Sequence, residues 1–583
     1  MLKKIQSVCC AVLAICMIAS FTGCRKGGTS SGLSDEIIGS EIIGTEDENT
    51  ENVGSGGDGT LPSDSVIAQK NNKAEVVNNC YKSGYPIAKD KVTLKIMAVD
   101  YSNGTDYNKM AFTKFIEKRF NVKLEFEMID NASVNDSVSL ALASGNMPDM
   151  FWGTGLLNSS TVTRYGKEGR LIKLNSYFND YAPNITKMLN DHKDVKYLAT
   201  EDDGNIYKIP FYREDDSLWG ENLYINKTWL KKLGLNMPKN NSELLSVLRA
   251  FKNNDPNGNG KKDEIPLVFV GDVPMGWYGM FGISTYTYRS IDSKGKITYV
   301  PTSTQYKNAI SFASSLYSEG LLFNTEMRNV TAAKVKSMIE GTTPTVGIVN
   351  ASTYSTIMSA KTFLNDYTIM PIVDCTGNGT ATWSYMDSEQ LWPNWGMITS
   401  ACKYPEIAVR LVDYFYSTEG AAVAEYGPFG EKMYWKYDSN GKPVINNNGV
   451  DYTKLSPWHA IPRYRSKALL NFFTNKRTSK DADTQKAGET QSALIKSIYG
   501  GVKLNKIYNY RYTQAEQTES SNGVSSSLQS TMNEWRYQFV YAQKNIDNEW
   551  SAYVNQLNQL GATTQTKLTQ AAADRMQSWI KSH

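Results

Sequence analysis

Histidine and cysteine are scarce in this chain of 583 residues. Histidine occurs only at His192, His459 and His583, and no GxxxxGK[ST] run is present. Histidine-dependent triads and histidine-rich zinc sites therefore have little support, and a phosphate-binding loop of that type is excluded. No repeat of 20 to 50 residues is visible, which argues against a solenoid or a propeller.

An excess of one charge and a long hydrophobic run are also missing. The 62 basic and 59 acidic residues leave a net charge of +3, so no nucleic-acid-binding surface is indicated and we predict no nucleic-acid partner. The longest apolar stretch, Val8 to Phe21, is short for a membrane span. Because it follows Lys3 and Lys4, we interpret residues 1–23 as a secretory signal.

The signal ends at Gly23-Cys24, and a small residue before a cysteine in this position resembles a bacterial lipobox. We predict that Cys24 carries a diacylglyceryl anchor; the alternative is a signal with an incidental cysteine. Residues 24–90, rich in Gly, Ser, Thr, Asn, Asp and Glu, are predicted to be a flexible tether. The later cysteines, at unrelated spacings, are expected to be free buried thiols: Cys80, Cys375 and Cys402.

The folded part begins with alternating strands and helices. Val92 to Val99 and Val122 to Met128 are predicted strands, and a predicted helix follows each of them. This order is typical of an α/β sheet with parallel strands, in which ligands gather at the carboxyl ends of the strands. A chain of this length is expected to form more than one compact unit.

The run Asp255 to Glu264 predicts a structural calcium site. Oxygen-bearing side chains fall at loop positions 1, 3, 5 and 9, with glycine at 6, which is the spacing of an EF-hand-like loop. Pro266 stands where an EF-hand has its bidentate acid, so Glu264 must close the shell. The alternative is a polar Asn/Gly turn. The predicted ligands are Asp255, Asn257, Asn259, Lys261 through its carbonyl, Asp263 and Glu264.

Several segments together resemble the extracellular solute-binding proteins, family 1, of bacterial carbohydrate ABC importers. They are the lipobox and tether, LYINKTWLKKLGL at 223–235 with the DPNGNGKKDEIPL loop, WGMITSACKYPEIAVRLVDYFYSTEGAAVAEYG at 395–427, EKMYWKYDSNGKPV at 431–444, and NIDNEWSAYVNQLNQLG at 545–561. The calcium loop is similar to that of alginate-binding proteins.

The resemblance implies two α/β lobes with a hinge and an interlobe cleft. Lobe 1 would comprise 91–214 and 396–450, and lobe 2 would comprise 222–390 and 455–583. The chain would cross between the lobes at 213–223 and 391–399. The implied protein is a monomeric lipoprotein of the Gram-positive type on the outer face of the membrane. It would capture an oligosaccharide and deliver it to ABC permease subunits.

A sugar needs aromatic rings for its C–H face and polar side chains for its hydroxyls. We predict the ligand-binding residues from their positions in the loops expected at the cleft. For each tryptophan, the alternative is packing in the core. The predicted residues are Trp152, Trp219, Glu221, Trp277, Trp383, Asp387, Glu389 and Trp395.

The prediction is a binding protein and not an enzyme. A glycoside hydrolase would need two carboxylates across a cleft, and Asp387 and Glu389 are the candidate pair, but no further catalytic signature supports this alternative. A surface adhesin with the same aromatic residues on a static face is the other alternative.

Overall fold

The computed structural model describes residues 72–583 apart from 102–104, 154, 215–218, 285–287, 324–329, 383–384, 387–390, 477, 479–480, 501–507, 509 and 522–523. The described strands, in chain order, are β1 (Val76–Val77), β2 (Cys80–Tyr81), β3 (Val92–Asp100), β4 (Val122–Asp130), β5 (Met150–Trp152), β6 (Ile209–Arg213), β7 (Trp219–Gly220), β8 (Asn222–Asn226), β9 (Ile265–Val268), β10 (Arg289–Ile291), β11 (Ile297–Tyr299), β12 (Val346–Ala351), β13 (Tyr367–Ile369), β14 (Tyr385–Met386), β15 (Leu391–Ile398), β16 (Trp435–Tyr437), β17 (Pro443–Ile445) and β18 (Tyr464–Arg465).

The described α-helices are α1 (Ala111–Phe120), α2 (Val134–Ser144), α3 (Ser159–Lys167), α4 (Asn175–Tyr181), α5 (Pro183–Asp191), α6 (Lys193–Ala199), α7 (Lys227–Lys232), α8 (Asn241–Asn253), α9 (Met275–Gly279), α10 (Thr304–Ser318), α11 (Ala332–Ile339), α12 (Ala360–Asp366), α13 (Pro405–Tyr414), α14 (Thr418–Tyr426), α15 (Lys467–Leu470), α16 (Ala482–Tyr499), α17 (Gln514–Ser521), α18 (Val524–Val540), α19 (Ile546–Gln559) and α20 (Ala562–Ser582). In the described part of the chain, none of them is long and apolar enough to span a membrane.

A six-stranded sheet forms the centre of lobe 1, in the order β18-β6-β15-β5-β3-β4. Strands β3, β4 and β5 are parallel, as the strand and helix pattern predicts, and β15 runs antiparallel between β5 and β6. Asn121 ends α1 with φ of 57°, a left-handed conformation that asparagine tolerates, and the chain enters β4 at the next residue. Both faces of the sheet are covered, because apolar cores lie around Phe115 and around Val138.

A four-stranded sheet forms the centre of lobe 2, in the order β13-β8-β12-β9. Strands β9 and β12 are parallel, and β8 is antiparallel to both β12 and β13. Asn226 joins β8 to α7 by accepting a hydrogen bond from the backbone N–H of Trp229, which caps the helix. One core of this lobe continues into the C-terminal helices, since Met532 and Tyr553 pack in the same cluster as Trp277.

The chain crosses between the lobes at places that differ in part from the prediction. The first crossing joins β6, which ends at Arg213, to β8, which begins at Asn222. The second joins β13 to β15, so it lies upstream of the predicted 391–399, which is strand β15 of the lobe 1 sheet. Short strands β7 and β14, one from each crossing, pair antiparallel.

The third crossing, which the predicted lobe bounds put between residues 450 and 455, lies later in the chain than predicted. Strand β18 pairs in parallel with β6 and covers what would otherwise be an open sheet edge. Ala460, Ile461 and Leu469 lie in the lobe 1 core. The segment 455–470 therefore belongs to lobe 1 and not to lobe 2, and the chain crosses between α15 and α16.

The predicted tether is shorter than 24–90 at its C-terminal end. Cys80, Ile87 and Ala88 are fully buried in the lobe 1 core, and Arg410 donates hydrogen bonds to the carbonyl oxygens of Tyr81 and Gly84. Residues 72–90 therefore pack on lobe 1. Residues 1–71, with the predicted signal and Cys24, lie outside the described residues.

Candidate functional site

The two sheets are connected at their carboxyl edges. In lobe 1 the first two crossings start at the end of β6 and return at the start of β15, which is antiparallel to β6. In lobe 2 they meet the start of β8 and the end of β13, both at the carboxyl end of β12. The carboxyl edges of the parallel strands in both lobes therefore flank the same pair of crossings, which is where α/β sheets bind ligands.

On lobe 1 this edge carries an aromatic wall centred on Trp392. The Trp392 ring stacks on Phe211 at 5.0 Å and 18° and meets the edge of Trp395 at 5.4 Å. Trp392 is half-buried, whereas Phe211 and Trp395 are buried beneath it. A half-buried indole supported by two buried rings is a rigid platform for the apolar face of a sugar.

A β-bulge sets the direction of the side chains next to Trp392. The register of β15 against β6 shifts between Trp392 and Gly396, which leaves Pro393 and Asn394 out of the regular pairing. The Asn394 amide donates to the carbonyl oxygen of Leu157 at 2.8 Å, while its own carbonyl oxygen is buried and accepts no hydrogen bond from the described residues. A buried acceptor without a donor is suited to a ligand hydroxyl.

A second aromatic contact on lobe 1 is formed by Tyr101 and His459. Tyr101 follows the end of β3, and its ring lies 5.3 Å from the His459 ring, which packs on Trp458. Burial is the main reason that the pKa of His459 falls to about 4, and the positive charge of Arg463 lowers it further. The imidazole is therefore neutral near pH 7, so one of its ring nitrogens is an acceptor.

A buried ionic cluster supports this wall from behind. Glu425 contacts Arg463 at 2.6 Å and Arg465 at 3.4 Å, and the Arg463 guanidinium lies 4.4 Å from the centre of the Phe211 ring. Burial alone would raise the pKa of Glu425, but Arg463, Arg465 and Arg213 outweigh it and hold the pKa below its usual value. These arginines therefore form a structural ion cluster and are not available to an acidic sugar.

On lobe 2 the carboxyl edge carries polar side chains. Asn350, near the end of β12, donates to Glu221 at 2.8 Å and accepts from the backbone N–H of Val270 at 2.7 Å. Asn222 is buried, and its carbonyl oxygen is a second acceptor without a donor among the described residues. The carboxyl edge of lobe 2 therefore carries groups that can pair with hydroxyls.

Asp272 and Arg536 complete this polar edge. The guanidinium of Arg536 is 4% exposed and pairs with the carboxylate of Asp272, which is 58% exposed. One end of the pair is thus anchored in the lobe 2 core, and the other reaches the surface just after β9. A charge held in this way is pre-organised for a polar ligand.

The structure places three of the predicted tryptophans in the cores. Trp152 packs on Phe126 and is fully buried, and Trp277 stacks on Phe312 and donates to the carbonyl oxygen of Ala309. Trp395 is 1% exposed and donates to the carbonyl oxygen of Ala460. In this conformation core packing accounts for all three rings, and none has an open face for a sugar.

The other predicted ligand residues have different outcomes. Glu221 lies at the carboxyl edge of lobe 2, where it accepts a hydrogen bond from Asn350. Trp219 lies in β7, but its side chain is outside the described part, and so are Trp383, Asp387 and Glu389. The residues at these edges that are not among the predicted ligand-binding residues are Tyr101, Asn222, Asp272, Asn350, Trp392, Asn394, His459 and Arg536. Pro393 was an available signal, because proline within a strand often marks a bulge.

The predicted calcium loop joins α8 to β9 and is closed by Asp255. The Asp255 carboxylate accepts hydrogen bonds from the backbone N–H groups of Gly258, Asn259 and Gly260. The amides of Asn257 and Asn259 both donate to Asp263. The sequence run therefore folds into a compact loop whose oxygen-bearing side chains turn inward.

Glu264 is the member of this loop that tests its fit to a cation. Both of its carboxylate oxygens are buried and have no hydrogen-bond partner among the described residues. Burial is the first cause of its raised pKa, and the negative charges of Asp255 and Asp263 add to it. Three mutually repelling carboxylates with amide and carbonyl oxygens nearby fit the donor chemistry of calcium.

The described residues contain no group of three or more His, Cys, Asp or Glu side chains already arranged to hold a metal ion. The loop would bind calcium through a mixed set of carboxylate, amide and backbone oxygens. Calcium therefore remains a prediction whose chemistry fits the loop.

Known proteins are similar to this chain in both sequence and architecture. The fructooligosaccharide ABC transporter substrate-binding protein FusA of Streptococcus pneumoniae is 25% identical over 84% of this chain and 91% of its own length. Its structure with kestose has a TM-score of 0.67 and covers 83% of this chain and 99% of that one, at 22% identity. Another structure of FusA is that of an EF-hand mutant.

Two further solved structures are similar in fold. An HMO-binding, ABC-transporter-associated solute-binding protein from Bifidobacterium longum infantis has a TM-score of 0.67 at 22% identity, covering 83% of this chain and 99% of that one. The alginate-binding protein AlgQ2, solved without calcium ion, has a TM-score of 0.59 at 23% identity, covering 84% and 99%.

The family model for bacterial extracellular solute-binding proteins matches residues 101–422, which include most of both central sheets and the first two crossings. Together with two α/β sheets joined at their carboxyl edges, this match shows that the chain belongs to the bacterial extracellular solute-binding protein family.

Proposed function

We propose that this protein captures an oligosaccharide between its two lobes and passes it to the membrane permease of an ABC importer. The observation that carries the proposal is the half-buried Trp392 ring beside the unpaired carbonyl oxygen of Asn394, at the edge where both lobes are joined. The ring suits the C–H face of a sugar and the amide suits a hydroxyl. The oligosaccharide-binding relatives support this ligand class.

Capture is a shift between open and closed conformations. A ligand that contacts only the aromatic wall of lobe 1 would bind equally well to both conformations. A ligand that also contacts Glu221, Asn350 or Asp272 on lobe 2 binds the closed conformation better and therefore populates it. The permease would then recognise the closed, loaded protein.

We infer that the bound sugar is not cleaved. The homologues are substrate-binding proteins of transporters, which supports binding without cleavage. Near the aromatic wall, the buried carboxylate of Glu425 is held in its ionised form by arginines and is not available as a general acid.

The same proposal includes the site of action in the cell. Processing at Gly23-Cys24 would place a lipid on Cys24 and hold the monomeric protein on the outer face of the membrane of a Gram-positive-type cell. The stretch that precedes the described residues would serve as the tether. Acyl chains hold a protein in this way at about 0.8 kcal/mol for each buried CH₂ group.

We also propose that calcium stabilises the loop between α8 and β9. Asp255, Asn257, Asn259, Asp263 and Glu264 would bind it through side-chain oxygens, with the backbone carbonyl of Lys261. Calcium would supply charge neutralisation for the carboxylates and hold a helix end to a strand. The site lies away from the aromatic wall in sequence and packing, so its role is structural.

A glycan array followed by calorimetry tests the function. We expect the chain lacking residues 1–24 to bind one class of oligosaccharide, to leave it intact on prolonged incubation, and to become more compact in solution scattering. Release of a shorter sugar would favour the hydrolase alternative. Binding without compaction would favour a static adhesin, and an array with no hits would contradict sugar capture.

A further inference from the structure

A cavity of about 170 Å³ lies in lobe 2, away from the aromatic wall. It opens to solvent and is lined by the hairpin of β10 and β11, by α18 and by the first turn of α20. The side chains that determine its chemistry are Tyr288, Arg289, Tyr299, Gln529, Met532 and Gln565. At about 30 Å³ per molecule, five or six waters would fill this volume, and one sugar ring with its hydroxyls is of similar size.

The walls of the cavity combine ring faces with polar groups. Tyr288 and Tyr299 supply phenol rings, and Arg289 has no carboxylate partner among the described residues. Gln565 donates to the hydroxyl of Ser520 at 2.8 Å, and its carbonyl oxygen accepts no hydrogen bond from the described residues. Rings beside unpaired donors and acceptors are the combination that binds a hydroxyl-bearing ring.

Unsatisfied polar atoms also lie in the core that adjoins the cavity. The Nε atom of Arg536 is buried and has no hydrogen-bond partner among the described residues, and the hydroxyls of Tyr306 and Tyr553 are also buried and unpaired by hydrogen-bond geometry. The Arg536 guanidinium faces the hydroxyl of Tyr288 at 3.4 Å. Native cores leave few such groups, so a cluster of them next to a cavity points to a bound polar molecule.

Arg536 also connects the cavity with the edge where the lobes join. Its guanidinium pairs with Asp272, just after β9, and contacts Tyr288 in the cavity wall. Tyr288 has φ of +56°, a conformation that is unfavourable for a bulky residue and that sets its ring against the cavity. The polar edge of lobe 2 and the cavity are therefore adjacent.

We propose that this cavity is a subsite for a single hydroxyl-bearing sugar ring, the terminal unit of the captured oligosaccharide. This inference rests on the proposed function, because the other sugar units of the ligand would be bound between the lobes. Binding of a single sugar in the cavity can be tested separately. Ring stacking on Tyr288 and Tyr299 and hydrogen bonds to Arg289 and Gln565 would hold the ring. A neutral and a carboxylate-bearing ring share this chemistry, and the experiment separates them.

The direct test follows the methyl group of Met532 by NMR in the chain lacking residues 1–24. The protein carries methyl-labelled methionine, Met532→Leu assigns the signal, and the probes are the methyl glycosides of glucose, fructose and galacturonic acid at millimolar concentrations. We expect a saturable shift of the Met532 signal with at least one probe, while the signal of Met150, buried in lobe 1, stays in place. A response to the galacturonide alone assigns Arg289 a carboxylate.

Two substitutions on α18 complete the test. Gln529→Trp places an indole in the cavity, whereas Ser530→Trp, at the adjacent exposed position that does not line it, is the matched control. We expect only Gln529→Trp to remove the Met532 response. We expect Gln529→Trp to weaken the binding of an oligosaccharide found on the array by about tenfold or more, equal to about 1.4 kcal/mol. The affinity for an oligosaccharide that is one sugar unit shorter should not change.

The outcomes distinguish this subsite from the function as a whole. If no probe shifts Met532 and Gln529→Trp binds every array ligand as the parent does, the cavity is not a subsite although oligosaccharide capture stands. If the array shows no ligand but Met532 responds, the cavity binds a sugar and the proposed capture by the lobes is wrong.

Discussion

Trp392 and Trp395 lie on one strand and have different environments. The bulge after Trp392 leaves its ring half-exposed on Phe211, whereas Trp395 is enclosed by the lobe 1 core. Both residues precede the same helix in sequence and look equivalent there. Strand pairing decided the direction of each ring, and of the two rings only that of Trp392 is partly exposed.

Replacing the Trp392 indole is expected to weaken sugar binding. Trp392→Ala removes the stacking surface and should reduce affinity by about thirtyfold, or about 2 kcal/mol, in calorimetry. Trp535→Ala is the matched control, because Trp535 is also half-buried but packs within lobe 2 on Phe539. An equal loss of affinity in both variants, or no loss in Trp392→Ala, would show that Trp392 does not contact the sugar.

His459 is expected to make stability depend on pH. Its pKa is lowered from 6.5 to about 4 in the folded protein, mainly by burial. Between these values the unfolded chain binds the extra proton, so the free energy of unfolding should decrease as the pH falls from about 6.5 to 4. Urea titrations should show a flatter profile for His459→Gln, whereas His583→Gln, at the exposed C-terminus, should match the parent. If the free energy of unfolding of His459→Gln depends on pH as steeply as that of the parent, His459 is not the cause of the pH dependence.

At the scale of elements, the predicted calcium loop between α8 and β9 is the feature that depends most on local sequence. Its donors lie within ten consecutive residues, Asp255 to Glu264, so their approach depends on the local turn and not on distant pairing. Tertiary packing determines the burial of the two unpaired carboxylate oxygens of Glu264, because this residue immediately precedes β9.

Calcium is expected to stabilise the protein through this loop. At a concentration about a hundredfold above its dissociation constant, calcium should raise the free energy of unfolding by about 2–3 kcal/mol, measured with urea in calcium and in EDTA. Glu264→Gln should lose most of this increment. In EDTA it should be at least as stable as the parent, because an uncompensated buried charge is removed.

The control for the calcium experiment is Glu319→Gln. Glu319 pairs with Arg249 on the surface and has no place in the loop, so its response to calcium should equal that of the parent. A parent whose stability is the same in calcium and in EDTA would show that the loop is a polar turn.

At the scale of the whole molecule, the C-terminal region contacts both lobes. Helix α18 packs on α10 of lobe 2, while Arg511 and Trp579 contact α6 and the residues after it in lobe 1. Arg511 lies 4.6 Å from the centre of the Tyr197 ring, pairs with Asp202 at 3.3 Å and donates to the carbonyl oxygen of Thr200. These contacts join the lobes apart from the crossings.

Loss of this contact should separate the unfolding of the lobes. Arg511→Ala is expected to broaden the urea transition or divide it in two, because lobe 1 and lobe 2 would then unfold with less coupling. The readout is the slope of the transition followed by tryptophan fluorescence and by circular dichroism. Arg249→Ala, which breaks a surface pair within lobe 2, should preserve a single transition. A single transition with the parental slope in Arg511→Ala would indicate that the crossings alone couple the lobes.

The sequence by itself determined the elements whose information is local. Alternating apolar residues predicted β3 and β4, and oxygen spacing predicted the loop at Asp255 to Glu264, because neighbours in the chain are neighbours in space. Segment-level likeness also predicted the family and the two lobes correctly. Burial shows that position in a loop was a poor guide to single tryptophans, since Trp152 and Trp277 complete the cores.

Tertiary structure alone decided which side chains share the site. The rings of Tyr101 and His459 come from distant segments and lie 5.3 Å apart, and Trp392 lies on β15 of the same six-stranded sheet. The position of the third crossing was decided in the same way, by the pairing of β18 with β6. Such pairings depend on the whole sheet, because a strand's partner is selected by the surfaces left uncovered after the other elements have packed.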